Sequence, residues 1–229
     1  MNYSKVIVCL ANSRKPSGRC IAGKEYILNE NREFTIGDWV RPVSQRETRE
    51  ISENERIYNN GITAKNLDII EIEFTQVDNH LFQSENIIIN PDVYWTKKGI
   101  YNPKYFEYLL DKPNKLWKNG NHSTSGMNDR ISATLLQEKI QSLYFIQPEN
   151  LVFSVGREGL MFGNDKKTLR AKFNYNNEEY WIKVSDPALE SLYFSKKEGD
   201  YSDHDIKYLT MSLGEIYQGY AYKLVAAGF

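Results

Sequence analysis

Cysteine is nearly absent from this 229-residue chain, which contains only Cys9 and Cys20. Two cysteines cannot build a disulfide framework, and neither belongs to a CxxC pair, so the sequence predicts no zinc site. The three histidines, at positions 80, 122 and 204, do not have the spacing of metal ligands either. Because so little cysteine is typical of reducing compartments, we expect a cytoplasmic location.

Long apolar runs are missing as well. No run approaches the ~18 residues of a membrane span, and the first residues lack the apolar core of a secretory signal, so we expect no membrane partner. The chain also lacks a P-loop, an HExxH motif, a nucleophile elbow and a glycine-rich dinucleotide fingerprint. An enzymatic activity therefore has the least support, and no cofactor is expected.

The chain has almost no net charge, because 29 Lys and Arg residues face 30 Asp and Glu residues. Its overall field will not attract DNA or RNA, so any nucleic-acid binding must come from a local patch. Aromatic residues make up 13% of the chain and include 16 tyrosines, which supplies many rings for cores, for interfaces or for base stacking.

Acidic residues are missing from positions 1–24, which hold five lysines and arginines. A predicted strand over residues 3–11 leads into a basic loop with Pro16 and Gly18, and a second strand is predicted over residues 19–28. Glycine lets a backbone approach a ligand or another strand closely, which gives Gly18 and Gly23 a role. We interpret this loop as the ligand-facing edge of the first domain.

A third short strand, Trp39–Ser44, completes the candidate site, because Trp39 and Arg41 share one of its faces. Arginine and lysine would hold phosphates, a tryptophan would stack on a base, and the neutral polar side chains would bind other groups. The candidate ligand-binding residues are Asn12, Ser13, Arg14, Lys15, Ser17, Gly18, Arg19, Gly23, Trp39 and Arg41. Two alternatives remain open: that Trp39 belongs to the core, and that the cations are ordinary surface residues.

The pattern of the whole chain predicts a mainly β (α+β) protein. We expect a β-rich domain over residues 1–95, a helical and loop-rich connector over 96–142, and a second β-rich domain over 143–229. Helices are predicted over 103–111 and 133–140. A hairpin is predicted around Asn176-Asn177, and a closing pair of strands around Gly214-Glu215.

Three parts of the chain resemble the bacterial dual OB-containing domain family: residues 10–15 with 18–23, the strand 39–44, and the C-terminal residues 212–215 with 219–227. The resemblance spans nearly the whole chain. It implies two small OB-like β-barrels and a nucleic-acid-binding or sensing role, including one in antiphage defence, although a fold does not establish a function.

The first functional hypothesis is a non-enzymatic module that binds single-stranded DNA or RNA across the first barrel. The second is a sensor that binds a nucleotide or a modified base beneath the same loop. The third is a module that docks an effector protein through its tyrosine- and tryptophan-rich surfaces.

Overall fold

The computed structural model describes residues 2–31, 33–78, 80–136, 140–159, 163 and 165–229. The chain divides into two compact units. Unit 1 comprises Met1–Leu110 and Glu138–Gln141, and unit 2 comprises Asp111–Gln137 and Ser142–Phe229. The predicted mainly β class is confirmed. No helix in the described part of the chain has the length and apolar character needed to cross a bilayer.

Unit 1 is a closed five-stranded barrel with one additional strand. Its strands are β1 (Tyr3–Lys15), β2 (Gly18–Leu28), β3 (Phe34–Val43), β4 (Asp68–Val77), β5 (Asn86–Ile89) and β6 (Thr96–Ile100). They are arranged in the order β1-β2-β3-β5-β4, and β4 pairs again with β1. Strands β3 and β5 run parallel, whereas the other pairs are antiparallel. Strand β6 lies outside this ring and pairs with β4.

Period-two alternation explains the core of this barrel. On β4, Ile70, Ile72 and Phe74 are fully buried, while Glu71 and Glu73 between them are only partly buried. Cys9 points into the same core, and burial raises the pKa of its thiol to about 12, so this cysteine behaves as a small apolar residue.

The predicted basic loop is an antiparallel hairpin rather than a loop. Strand β1 continues to Lys15, and only two residues separate it from β2. The register between the strands shifts around Leu10, opposite Gly23. A Cβ atom built on Gly23 would overlap the carbonyl oxygen of Val8, so the strands can approach this closely only at a glycine. The proposed close approach at Gly23 is thus confirmed, but between two strands.

Unit 2 contains one larger sheet and the α-helix found in the described part of the chain. Its strands are β7 (Arg130–Ser132), β8 (Leu143–Ile146), β9 (Glu149–Glu158), β10 (Lys166–Tyr175), β11 (Glu178–Val184), β12 (Gly199–Ser202), β13 (Leu209–Tyr217) and β14 (Tyr220–Gly228). The helix α1 (Pro187–Phe194) follows β11. The Asp186 side chain caps it by accepting a hydrogen bond from the backbone N–H of Ala188 at 2.9 Å.

The central strands of unit 2 lie side by side in the order β9-β10-β11-β14-β13, which matches the order β1-β2-β3-β5-β4 of unit 1. The strands that correspond to β3 and β5 are β11 and β14, and they are again parallel. Strands β12 and β8 occupy the two edges, and no pairing between described residues joins those edges. Unit 1 is therefore a closed barrel, while unit 2 is a sheet of the same strand order.

The helical connector is not confirmed. Its described residues contain strands β6 and β7 and two 3₁₀ helices, Pro103–Leu109 and Ala133–Leu135. The rest of the helix predicted over 133–140 falls largely on residues 137–139, which lie outside the described residues. Contacts between residues divide the connector between the two units, and the three-part division at 95 and 142 stays a prediction.

The two hairpins of the C-terminal region had different outcomes. The hairpin at Asn176-Asn177 is confirmed, with positive φ values of 49° and 62° that asparagine tolerates. The turn predicted at Gly214-Glu215 is wrong. Strand β13 continues through both residues, and the chain turns at Gln218 and Gly219 instead, which have φ values of 49° and 80°.

Replacing Gly23 with alanine should destabilise unit 1 by at least about 2 kcal/mol, because the new methyl group meets a backbone carbonyl that cannot move independently. Gly99→Ala is the matched control, since a Cβ atom there would lie 3.9 Å from its nearest neighbour, the Ile69 side chain. Chemical denaturation of the two variants tests this expectation. Equal stability of Gly23→Ala and Gly99→Ala would contradict it.

Candidate functional site

The outward face of unit 2 is basic and aromatic. On β10, Leu169, Ala171 and Phe173 point into the core, so the alternate residues Arg170 and Lys172 point outward. The directly opposed residues on β11 are Lys183 and Trp181, and they extend the same surface.

Two cation–aromatic pairs lie on this surface. The Lys172 amine lies 5.1 Å from the centre of the Trp181 ring, and the Arg130 guanidinium lies 3.9 Å from the centre of the Tyr220 ring. Such pairs combine positive charge with a flat ring, which are the two properties that single-stranded nucleic acids require of a binding surface.

A pocket of about 580 Å³, with many polar and charged residues among those that line it, opens on this face within unit 2. Its basic residues are Arg157, Lys166, Arg170, Lys183 and Lys223. Its hydroxyl groups come from Ser123, Thr124, Ser125, Thr168 and Tyr222, and its carboxylates from Asp129 and Glu158. The volume lies within the range of small-molecule sites, about 300–1,000 Å³. This composition suits an anionic ligand that also carries hydrogen-bonding groups.

One wall of the pocket is the loop before β7, and Asp129 fixes its shape. The buried carboxylate of Asp129 accepts hydrogen bonds from the backbone N–H of Ser123, at 2.7 Å, and from the hydroxyl of the same serine. Gly126 lies against this carboxylate, and a Cβ atom there would overlap it. The wall is therefore held in place before any ligand binds.

Arg170 lies at the centre of the pocket's electrostatics. Its guanidinium donates two hydrogen bonds to Glu158, at 2.6 and 3.3 Å, and approaches Asp129 at 3.4 Å. Only 11% of the Arg170 side chain is exposed. Its charge is thus offset by two acids, whereas Lys166 and Lys183 are exposed and have no ion-pair partner among the described residues. These two lysines supply the pocket's excess positive charge.

The structure brings part of the sequence-predicted site together at the tip of the first hairpin. Arg14 pairs with Arg19 across the strands, and Lys15 pairs with Gly18. Ser17 donates hydrogen bonds from its backbone N–H and its hydroxyl to the buried carboxylate of Glu50. An acid from outside the acid-free segment therefore lies directly beside the basic tip.

The other predicted residues are separated from the tip or engaged in the fold. Asn12 donates to the Ala64 carbonyl at 2.8 Å, and Ser13 is buried. Trp39 and Arg41 are only 6% and 4% exposed. Trp39 pairs with Lys24, which lies five residues, or about 16 Å, along β2 from Arg19. The burial of Trp39 agrees with the core alternative. A role for these residues in ligand binding stays a prediction that the burial does not favour.

Sequence reasoning missed the pocket because its residues come from distant segments. Strands β9, β10, β11 and β14 and the loop before β7 each contribute only a few of them. One signal was available. Lys223 is the charged residue in the otherwise apolar segment 220–227, which indicates a lysine within a buried strand.

Lys223 is 1% exposed, and it lines the inner side of the pocket. Its amine donates to the Lys118 carbonyl at 3.0 Å and to Asn119 Oδ1 at 2.8 Å, and it lies 5.3 Å from the centre of the Tyr180 ring. Burial lowers the pKa of this amine from 10.5 to about 7, and the charges of Asp129 and Glu178 only partly oppose the shift.

The lowered pKa of Lys223 should make the stability of unit 2 depend on pH. Between pH 7 and about 10, the unfolded chain binds a proton at this amine that the folded chain does not, so the free energy of unfolding should rise with pH there. Denaturation of the wild type and of Lys223→Met isolates this contribution. The stability of the wild type relative to the variant should grow from pH 7 to 9.5 and stay constant from pH 5.5 to 6.5. A constant difference over the whole range would contradict the expectation.

Comparison with known proteins agrees with this geometry. The family model for the dual OB-containing domain matches residues 5–227, which is almost the entire chain. No curated protein and no solved structure matches. The barrel of unit 1 and the equivalent strand order of unit 2 are consistent with two OB domains. The chain therefore belongs to the dual OB-containing domain family.

Proposed function

We propose that this protein is a non-enzymatic module that binds single-stranded nucleic acid across the outward face of β10, β11 and β14, with one nucleotide in the pocket of unit 2. The pocket is the observation that carries the proposal, because it joins two exposed lysines, which have no ion-pair partner within the described parts of the chain, to a surface with two cation–aromatic pairs. Small barrels of the OB type bind single strands with this combination of a basic groove and aromatic side chains.

Electrostatics assigns the roles within this surface. Lys166 and Lys183 bind phosphates, because neither has to leave an ion pair with another described residue in order to do so. Arg170 is held by Glu158 and Asp129, so it orients groups within the pocket rather than moving to a phosphate. Trp181 is partly exposed and offers a ring for a base. With a net charge of −1 over the chain, attraction comes from this local patch alone.

A nucleotide or modified-base sensor is the second candidate, and the same pocket favours it. The cavity of about 580 Å³ is large enough for a small ligand, and its wall is fixed by the Asp129–Ser123 hydrogen bonds. A thermal-shift series with mononucleotides separates the two candidates. Saturable stabilisation that changes little with salt would favour the sensor. Docking of an effector protein and a role in antiphage defence stay predictions.

Charge reversal of the two exposed lysines of the pocket, Lys166→Glu with Lys183→Glu, should weaken binding of a labelled single strand. Each lost phosphate contact should also make the salt dependence shallower, by about 0.7 in the slope of log affinity against log salt. Fluorescence anisotropy at several salt concentrations measures both quantities, and circular dichroism checks the fold.

The comparison variant is Arg14→Glu with Arg19→Glu at the hairpin tip of unit 1. The sequence-based hypothesis predicts that this variant loses binding without unfolding, whereas our proposal expects near-wild-type affinity. Loss of binding in the hairpin variant alone would move the site to unit 1. A wild-type protein that binds no single strand at low salt would falsify both hypotheses, the site in unit 2 and the site at the hairpin tip of unit 1.

A further inference from the structure

Two carboxylates line a pocket that otherwise attracts anions, and they differ in their availability. Asp129 is buried, and its oxygens accept hydrogen bonds from Ser123 and contact Arg170, so this acid serves the wall. The side chain of Glu158 is 25% exposed. It lies at the end of β9, directly opposite Lys166, one of the two exposed lysines. Glu158 is therefore the acid that a ligand reaches.

Arg170 prepares Glu158 to accept hydrogen bonds. A carboxylate offers about four acceptor sites, and the two hydrogen bonds from Arg170 occupy one on each oxygen. The same two bonds fix the plane of the carboxylate and offset its charge. Glu158 can consequently lie near a phosphate without strong repulsion, provided that the ligand presents a donor to its remaining acceptor sites.

The sugar determines whether a nucleic acid presents such a donor near its phosphates. The ribose of RNA carries a 2′-hydroxyl group beside the backbone, and the deoxyribose of DNA does not. A carboxylate that accepts a hydrogen bond from the ribose 2′-hydroxyl is an established solution in nucleotide-binding proteins. With DNA in the pocket, Glu158 would lose solvent and gain no hydrogen bond, which is unfavourable.

We propose that Glu158 accepts a hydrogen bond from a ribose 2′-hydroxyl group, so that the pocket of unit 2 selects RNA over DNA. This inference rests on the proposed function, because it assigns the sugar specificity of the same site. Glu158 is its specificity-determining residue, and Arg170 is a positioning residue that acts through Glu158. Thr168 faces the same way on β10, between Lys166 and Arg170, and adds a hydroxyl group to this side of the pocket.

The test compares RNA and DNA oligonucleotides of one sequence on the full chain at low salt. The wild type should bind RNA tighter than DNA by about tenfold, the value of one hydrogen bond to a charged group. In Glu158→Gln, the affinity for RNA should fall toward that for DNA. Glu149→Gln is the matched control, because Glu149 is an exposed acid at the other end of β9 that does not line the pocket, and this variant should keep the wild-type preference.

A scan of single 2′-deoxy substitutions through the RNA, read with the wild-type protein, needs no mutation and should find one position that causes most of the loss. Equal affinity of the wild type for RNA and DNA overturns the sugar specificity and leaves the proposed function standing. Equal weakening of RNA and DNA by Glu158→Gln also overturns it, since the donor would then belong to a base. If neither strand binds, the proposed function and this inference both fail.

Discussion

The parallel contact between β11 and β14 is the constraint on which the pocket of unit 2 depends. These strands pair at only two positions, Lys183 with Leu224 and Val184 with Val225. Before those positions, a segment of the predicted connector, residues 127–132, lies between the two strands and pairs with both. Met127 pairs with Trp181 of β11, and β7 pairs with Tyr220–Tyr222 of β14. The inserted segment brings the loop wall of residues 123–129 over the outward face, and the pocket is the space beneath it.

The same constraint has a different outcome in unit 1. There the third and fifth strands, β3 and β5, pair at three positions, and β1 closes the ring by pairing with β4 as well as β2. That closure requires a strand long enough to serve two neighbours and a bend in its middle, which Gly23 permits. Two units with one strand order thus differ in structure: an inserted segment bridges β11 and β14 in unit 2, whereas in unit 1 the ring closes between β1 and β4.

The sequence predicted the parts of the fold that depend on local patterns. Two asparagines located the β10–β11 turn, and the absence of a side chain at Gly23 marked a close approach of the backbone. The turn at Gln218-Gly219 was missed because Gly214 and Gly219 are equivalent by residue type, and only the structure shows that Gly214 stays within a strand while Gly219 forms the turn. The helix after Asp186-Pro187 was missed because the same dipeptide that stops a strand also caps a helix.

The candidate site was less predictable, because charge segregation along the chain is not segregation in space. The acid-free first 24 residues receive Glu25 as a partner for Lys5, at 2.9 Å, and Glu50 beside Ser17. In unit 2 the reverse holds. Acids and bases alternate along the sequence, yet Glu158 and Asp129 both form ion pairs with Arg170. Lys166 and Lys183 have no ion-pair partner among the described residues.

Pairing of acids with Arg170 also explains how a chain of almost zero net charge can present the anion site that we propose. The two acids in the pocket do not neutralise its lysines, because both form ion pairs with the Arg170 guanidinium, which keeps its proton. What remains for a ligand is the charge of two exposed lysines and the acceptor sites of one oriented carboxylate. A surface built only of lysines would bind any polyanion, so the retained acid is the element that makes discrimination between polyanions physically possible.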